Sequence, residues 1–422
     1  MSRILIEGGV PLTGTVHVGG AKNAALPIMA GCILGEGPIT LSNIPHLNDV
    51  DTMQKVLEAL GVKSKRLPNG DMELASPNGC NEEAPYELVK TMRASFFVMG
   101  PLLARLKRAR IPLPGGCAIG VRPVNIHLKG FEALGARVSL EAGCAVATAD
   151  RLIGAPIVLD FPSVGATENL MMAAVLAEGT TTIENSACEP EITDLANFLN
   201  SMGAKVTGSG TPTITIEGVE KLRPTKYRII PDRIEAGTFM VLGALHRGPI
   251  VVDNCVPAHL QSVVAKLQEM GADVQCEDSR AIVCGPERLK PVEIKTLPFP
   301  GFPTDMQAQF MVAMCLAGGT SVITETVFEN RFMHVAELVR MGASLSIRDR
   351  TVVVTGVEKL IGAPVNATDL RAGAAMVLAG LSAEGKTEVG HIHHIDRGYE
   401  NLVERLRGLG ARIERLEGEN NY

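Results

Sequence analysis

At 422 residues the chain is too long for one ordinary core, so two domains are the first expectation. Charged residues make up 20% and hydrophobic residues 46%, with a formal net charge of -6, which excludes a disordered or fibrous chain and a polyanion-binding surface. With no Trp, four Tyr, and no apolar run near the roughly 18 residues a bilayer span needs, neither nucleic acid nor membrane is an expected partner.

The N-terminal stretch MSRILIEGG lacks a secretory pattern, and a cytoplasmic location is expected. Its predicted elements are two short strands, ILIEGGVPLTGTVHV, read as a pair linked through Gly and Leu. The same pattern returns in ITIEGVEKLRPTKYRII and VVVTGVEKLIGAPVNAT. Each time a helix follows that is apolar almost all round, as in 169–177 (NLMMAAVLA), 238–245 (TFMVLGAL) and 310–317 (FMVAMCLA). A helix without a polar face must be buried on every side.

Next come a short strand (TTTIEN, PIVVDN, TSVITE) and a second helix. In the fourth unit that helix carries Leu260, Val263, Val264, Leu267 and Met270 at spacings of three and four, which predicts an amphipathic surface helix. A glycine stops each one, at Gly61, Gly135, Gly203, Gly271, Gly342 and Gly410, at intervals of 74, 68, 68, 71 and 68 residues. A closing strand (DVQCED, KVTGSG, RIERLE) completes the unit. Six β-α-β-α-β units at a fixed period predict an α/β fold of two inside-out barrels, three units in each. The expected domains are 20–229, and 1–19 with 230–422, with the active site in the cleft between them. An open solenoid would need unlike capping units at its ends, and these ends resemble the middle.

The apolar helices are expected to begin with polar residues: Lys22 and Asn23, Arg93, Glu168 and Asn169, Arg233 and Glu235, Asp305, and Asp369 with Arg371. Acids there read equally well as caps. Cations do not, because the helix N-terminus is itself partly positive, and an anionic substrate would supply the missing partner.

One unit breaks the repeat. In the second, IPLPGGCAIGVRPVNIH is read as replacing the strand between the helices, with Gly115, Gly116 and Gly120 freeing the backbone and Cys117 and Arg122 as its reactive groups. This predicts an active-site lid. The nine cysteines never show CxxC spacing and read as reduced thiols, eight of them as small core residues.

The motifs GGAKNAALP at Gly19, GGCAIGVRP at Gly115, SVGATEN at Ser163, EPEITDLANFL at Glu189, PDRIEAGTF at Pro231, FPTDMQAQF at Phe302, ETVFENRFMHV at Glu325, ATDLRAG at Ala367 and HIDRGYE at His394 span nearly the whole chain. Through them it resembles the UDP-N-acetylglucosamine 1-carboxyvinyltransferase family of enolpyruvyl transferases, which opens peptidoglycan synthesis. The resemblance implies transfer of the enolpyruvyl group of phosphoenolpyruvate to the sugar 3'-hydroxyl with release of phosphate, and no metal or organic cofactor.

The same resemblance implies roles for individual residues. Lys22, Asn23, Arg122, Arg371 and Arg397 would bind phosphoenolpyruvate. Asn23, Arg93, Arg122, Pro123, Val124, Asn125, Ile126, Pro162, Ser163, Val164, Gly165, Asp305, Val327 and Phe328 would bind UDP-N-acetylglucosamine, with Arg122 to His127 as the uridine-binding loop, Pro162 to Gly165 as a diphosphate contact and Val327 with Phe328 as the far wall. Cys117, Asp305, Lys22 and Arg397 would be catalytic, with Cys117 as the acid at the methylene carbon and the site of a covalent adduct, and Asp305 as the base. Asn125 stands where the family often has Asp, and Phe161 where some members have Lys. Competing readings are a 3-phosphoshikimate 1-carboxyvinyltransferase, which lacks the Cys loop, a non-catalytic binding ring, and a regulatory paralogue. The set Lys22, Cys117, Arg122, Asp305 and Arg397 argues against the last.

Overall fold

The six repeat glycines all adopt the left-handed conformation, with φ between 88° and 102°, each just past an outer helix. Those helices are Asn48–Ala59, Asn125–Ala133, Pro190–Ser201, Gln261–Glu269, His334–Arg340 and Leu402–Gly408. Only glycine takes that conformation without a β-carbon penalty, so the period seen in the sequence is a period of helix stops. The structure, a computed structural model, describes residues 2–77, 79–113 and 124–417.

The six apolar helices are Lys22–Gly31, Met99–Leu106, Val164–Ala174, Arg233–Leu245, Gln307–Cys315 and Leu370–Ser382. Every residue from Ile234 to Ala244, from Gln307 to Cys315 and from Arg371 to Leu381 is buried. Around them lie six sheets, five of four strands and one of three, among the described residues.

The strands of one sheet show the common pattern. Ile250–Asp253 pairs in parallel with the edge strand Gly14–His17 and antiparallel with Arg280–Cys284, which pairs antiparallel with Asp273–Cys276. Core-facing Ile250, Val252, Ala281 and Val283 alternate with more exposed residues, as a sheet covered on one face requires.

Three sequence expectations are corrected. The two strands of each opening motif do not pair with each other. Arg3–Glu7 joins Lys386–Gly390 and Arg412–Leu416, whereas Gly14–His17 joins a different sheet, and Thr213–Glu217 and Lys226–Arg228 likewise separate. The Gly- and Leu-containing link carries the chain from one sheet to the next, because a hairpin could not bury both strands on the next helix. The second unit also keeps its inter-helix strand, Arg108–Pro112, in the three-stranded sheet, so its distinctive loop follows the strand and does not replace it. Finally, Cys276 is exposed and Cys80, Cys188 and Cys284 are half-buried, leaving Cys32, Cys144, Cys255 and Cys315 in the core.

The chain divides into two compact units. One contains the described residues up to Gly19 and from Pro231 onward; the other contains the described residues between Gly20 and Ile230. Each is an inside-out α/β barrel with three apolar helices in its core; in the first all three pack on one another, and in the second Val164–Ala174 packs on both others while Lys22–Gly31 also meets the 3-10 turn Arg93–Val98. Inside the first unit the Asp232 N–H donates to Gly19 O at 2.9 Å; inside the second the Ala21 N–H donates to Ile230 O at 2.8 Å. No helix among the described residues is long and apolar enough to cross a membrane.

Candidate functional site

Asp305 sits in a 3-10 turn, Thr304–Met306, directly before the buried helix Gln307–Cys315. Arg371 reaches it from the first turn of Leu370–Ser382, and its Nε and Nη2 both lie 3.1 Å from Oδ2. Arg331 Nη2 lies 2.7 Å from Oδ1. Both guanidiniums are almost wholly buried, whereas the Asp305 side chain is 25% exposed. The carboxylate is therefore the accessible end of a cation-anion-cation cluster.

Each member is held from behind. Asp369 caps its helix by accepting from the N–H groups of Arg371 (2.8 Å) and Ala372 (3.1 Å). The Arg371 guanidinium lies 5.6 Å over the Tyr399 ring, whose hydroxyl contacts Thr238 Oγ1 at 2.9 Å. Asp232 caps Arg233–Leu245 in the same way, accepting from Ile234 and Glu235 at 2.8 and 3.0 Å, and its charge acts on Arg371. The starts of all three apolar helices of this unit are thus electrostatically connected.

Arg331 also donates from Nη1 to Thr304 Oγ1 (2.9 Å), and that hydroxyl donates to Glu325 Oε2 (2.8 Å). Fully buried Glu325 uses its other oxygen to accept from Thr296 Oγ1 (2.8 Å) and from the N–H groups of Val327 (2.8 Å) and Phe328 (3.2 Å). One buried carboxylate therefore fixes the Val327–Phe328 turn and, through Thr304, the Arg331 fork. Beside them His334 is buried with neither ring nitrogen hydrogen-bonded. Burial lowers its pKa to about 4, with Arg331 pushing the same way and Asp369 opposing, so it is neutral at pH 7. Arg397 ends the 3-10 helix Ile392–Arg397 in the same unit and is half-buried.

In the other unit Lys22 and Asn23 open the helix Lys22–Gly31. Lys22 Nζ lies 3.2 Å from Asp49 Oδ2, both side chains being largely buried. This corrects the expectation that a ligand alone supplies the anion. For Lys22 the protein provides Asp49, and for Arg371 it provides Asp305. Arg93 begins a 3-10 turn, Arg93–Val98, which leads into Met99–Leu106.

Glu168 and Asn169 do not stand at a helix start. Their helix begins at Val164 and is capped by Ser163, whose Oγ accepts from the Ala166 N–H at 3.3 Å, so both lie in the second turn and are fully buried. Burial pushes the Glu168 carboxyl well up, and the charges of Glu191 and Glu189 push it further. Pro162, Ser163, Val164 and Gly165 do form that helix entry, with Phe161 exposed beside them. Val124, Asn125 and Ile126 form the entry to Asn125–Ala133, with Asn125 exposed. Cys117, Arg122 and Pro123, with the lid loop, lie outside the described residues.

Sequence reasoning missed Asp49, Asp232, Glu325 and Arg331 as parts of this machinery. Arg331 and Glu325 stand in the quoted motif ETVFENRFMHV and Asp232 in PDRIEAGTF; Asp49 carried no signal beyond an acid in the first turn of a predicted helix.

A family model described as EPSP synthase (3-phosphoshikimate 1-carboxyvinyltransferase) matches residues 6–406. UDP-N-acetylglucosamine 1-carboxyvinyltransferase 2 of Carboxydothermus hydrogenoformans is 59% identical over 418 residues, covering 99% of this chain and 100% of the relative. The UDP-N-acetylglucosamine 1-carboxyvinyltransferase of Desulfosudis oleivorans is 54% identical over 416 residues, with coverage of 99% and 100%. Among solved structures, the enolpyruvyl transferase NikO from Streptomyces tendae superposes with a TM-score of 0.89 at 26% identity, over 99% of both chains. EPSP synthase from Acinetobacter baumannii, with a TM-score of 0.77 at 18% identity over 99% of this chain and 100% of that one, shares the fold.

Proposed function

The chain belongs to the UDP-N-acetylglucosamine 1-carboxyvinyltransferase family of enolpyruvyl transferases, and from that membership we propose how its residues carry the reaction. It transfers the enolpyruvyl group of phosphoenolpyruvate to the 3'-hydroxyl of UDP-N-acetylglucosamine and releases phosphate, the first committed step of peptidoglycan synthesis. The near full-length identity of 54% to 59% to relatives of that activity carries this reading.

Phosphoenolpyruvate concentrates a phosphate and a carboxylate in a small volume. Lys22, Arg122, Arg371 and Arg397 answer it with four cations, and Asn23 adds an uncharged polar contact. Cys117 protonates the methylene carbon, which leaves positive charge on the carbon bearing phosphate. The 3'-oxygen attacks that carbon while Asp305 takes the hydroxyl proton. Loss of a methyl proton then restores the double bond as the carbon-oxygen bond to phosphate breaks. A thiol with an ordinary pKa near 8.5 is mostly protonated at neutral pH and so suits the donor role. Arg371 and Arg331 hold Asp305 so that its carboxylate faces one direction. Val327 and Phe328, set by Glu325, wall the sugar side, and Arg93, 122–126 and 162–165 hold the nucleotide.

Phosphate release from phosphoenolpyruvate tests the whole reading. Release is expected with UDP-N-acetylglucosamine and not without it. Release with shikimate 3-phosphate in its place overturns the substrate assignment.

A further inference from the structure

Asn169 is a fully buried polar residue in the middle of an apolar helix, and its amide orientation is determined by two backbone groups. The Gly100 N–H, which can only donate, lies 2.7 Å from Asn169 Oδ1. The Phe96 carbonyl, which can only accept, lies 3.0 Å from Nδ2. Asn169 Nδ2 is therefore the atom facing His127 Nδ1 at 3.2 Å, and it must donate there. A ring nitrogen that accepts carries no proton, so neutral His127 bears its hydrogen on Nε2.

The ring stays neutral because burial lowers its pKa to about 3, helped by the charge of Arg93. It is held in place by an edge contact with Phe96, centroids 5.2 Å apart. Its Nε2–H makes no hydrogen bond among the described residues although the side chain is more than nine-tenths buried. That edge faces the first turn of Val164–Ala174, since a β-carbon built on Gly165 would stand 3.5 Å from His127 Cε1 and 3.6 Å from Nε2. An uncommitted donor thus stands at the N–H groups of an eleven-residue helix, within the field of the Arg93 charge. Together they match a phosphate oxygen.

We propose that His127 donates its Nε2–H to a phosphate oxygen of the bound sugar nucleotide at the first turn of Val164–Ala174, and that Asn169 is the positioning residue that fixes the required tautomer. This rests on the reading of 162–165 as a diphosphate contact. The lock explains a costly feature: a carboxamide buried in an apolar helix is kept because the ring it orients must donate in one direction. Asp in place of Asn169 would accept from Nδ1–H and turn the tautomer round.

Two measurements on the full-length protein decide it. With 15N-histidine labelling, the His127 ring is expected in the Nε2–H form, and its Nε2 signal is expected to move when UDP is added. An Nδ1–H ring, or an Nε2 signal that UDP leaves unmoved, overturns the proposal without any variant having to fold. In kinetics, His127→Phe keeps an aromatic ring against Phe96 and removes the donor. Its KM for UDP-N-acetylglucosamine is expected to rise about tenfold or more, as for a lost hydrogen bond to a charged group, with kcat and the KM for phosphoenolpyruvate within about twofold. His127→Gln, which restores an N–H, should recover most of the loss. A fall in kcat with unchanged KM, or no change at all, overturns the role. If UDP moves the His127 signal but UDP-N-acetylglucosamine supports no phosphate release, the enzymatic reading fails and this one stands; release with an unmoved signal gives the reverse.

Discussion

Arg371 grips Asp305 with two nitrogens, Nε and Nη2, each 3.1 Å from the same carboxylate oxygen. The other oxygen belongs to Arg331, so a single carboxylate separates two buried guanidiniums. Asp305→Ala removes the carboxylate that lies between those two cations. The loss is expected to be about 3–5 kcal/mol of folding stability, the usual effect of removing one member of a buried ion pair. Urea unfolding measures it, and a loss below about 1 kcal/mol would refute the pairing. Asp305→Asn, which keeps an acceptor, should retain more stability while activity falls by roughly 10²- to 10⁴-fold if the carboxylate is the base.

The repeat glycines permit a separate test. At Gly203 and Gly342 an added β-carbon meets nothing within 4 Å, so alanine there is opposed only by the left-handed backbone, with φ of 102° and 88°. Each substitution is expected to cost about 1–2 kcal/mol, and asparagine less. Gly20→Ala is a different case. Its β-carbon would lie 1.7 Å from the Asn43 carbonyl oxygen, and that carbonyl is backbone, so the second unit should fail to fold normally. Thermal melts of the three variants should separate them clearly; equal losses would remove the distinction between strain and collision.

The glycines also mark how far sequence alone reaches. A period of helix stops is local chemistry, and so is an apolar helix, which explains why the six units were legible from residue order. Partnership is not local. Lys22 finds Asp49 across 27 positions and Arg331 finds Asp305 across 26, each through a turn whose direction no pattern encodes. Strand pairing failed for the same reason. ILIEGGVPLTGTVHV has the composition of a hairpin, yet the helices beneath need one strand from each of two neighbouring repeats, and tertiary burial overrides the local signal. Glu168 lies a turn inside its helix because the helix begins at Val164 and Gly165, weak helix formers both that carry no local start signal.

Asp369 joins stability to the site. Its side chain caps Leu370–Ser382 through the N–H of Arg371 itself, so losing the cap also loosens the residue that holds Asp305. Asp369→Ala is expected to cost about 1 kcal/mol and to lower activity by more than that small loss of folded protein explains. Asp369→Ser, which can still accept from the helix N–H groups, should recover stability and most activity together. Recovery of stability with no recovery of activity would mean that Asp369 acts in some way other than as a cap.

Glu168 makes a prediction in pH. Neither carboxylate oxygen has a hydrogen-bond partner, and burial, then Glu191 and Glu189, raise its pKa well above the ordinary 4.5. The folded chain therefore holds this proton more tightly than the unfolded chain does. Below about 4.5 both states are protonated and the contribution to stability is complete. As pH rises, the unfolded state releases its proton first, and stability falls until the folded carboxyl ionises in turn. Glu168→Gln has no proton to release. The variant should therefore gain on the wild type as pH rises, by up to about 1.4 kcal/mol per unit inside that window. Urea unfolding of both proteins at pH 5, 7 and 9 reads the difference directly, with groups common to the two cancelling. A stability gap that stays constant from pH 5 to 9 would show that Glu168 is not held in its protonated form by the fold.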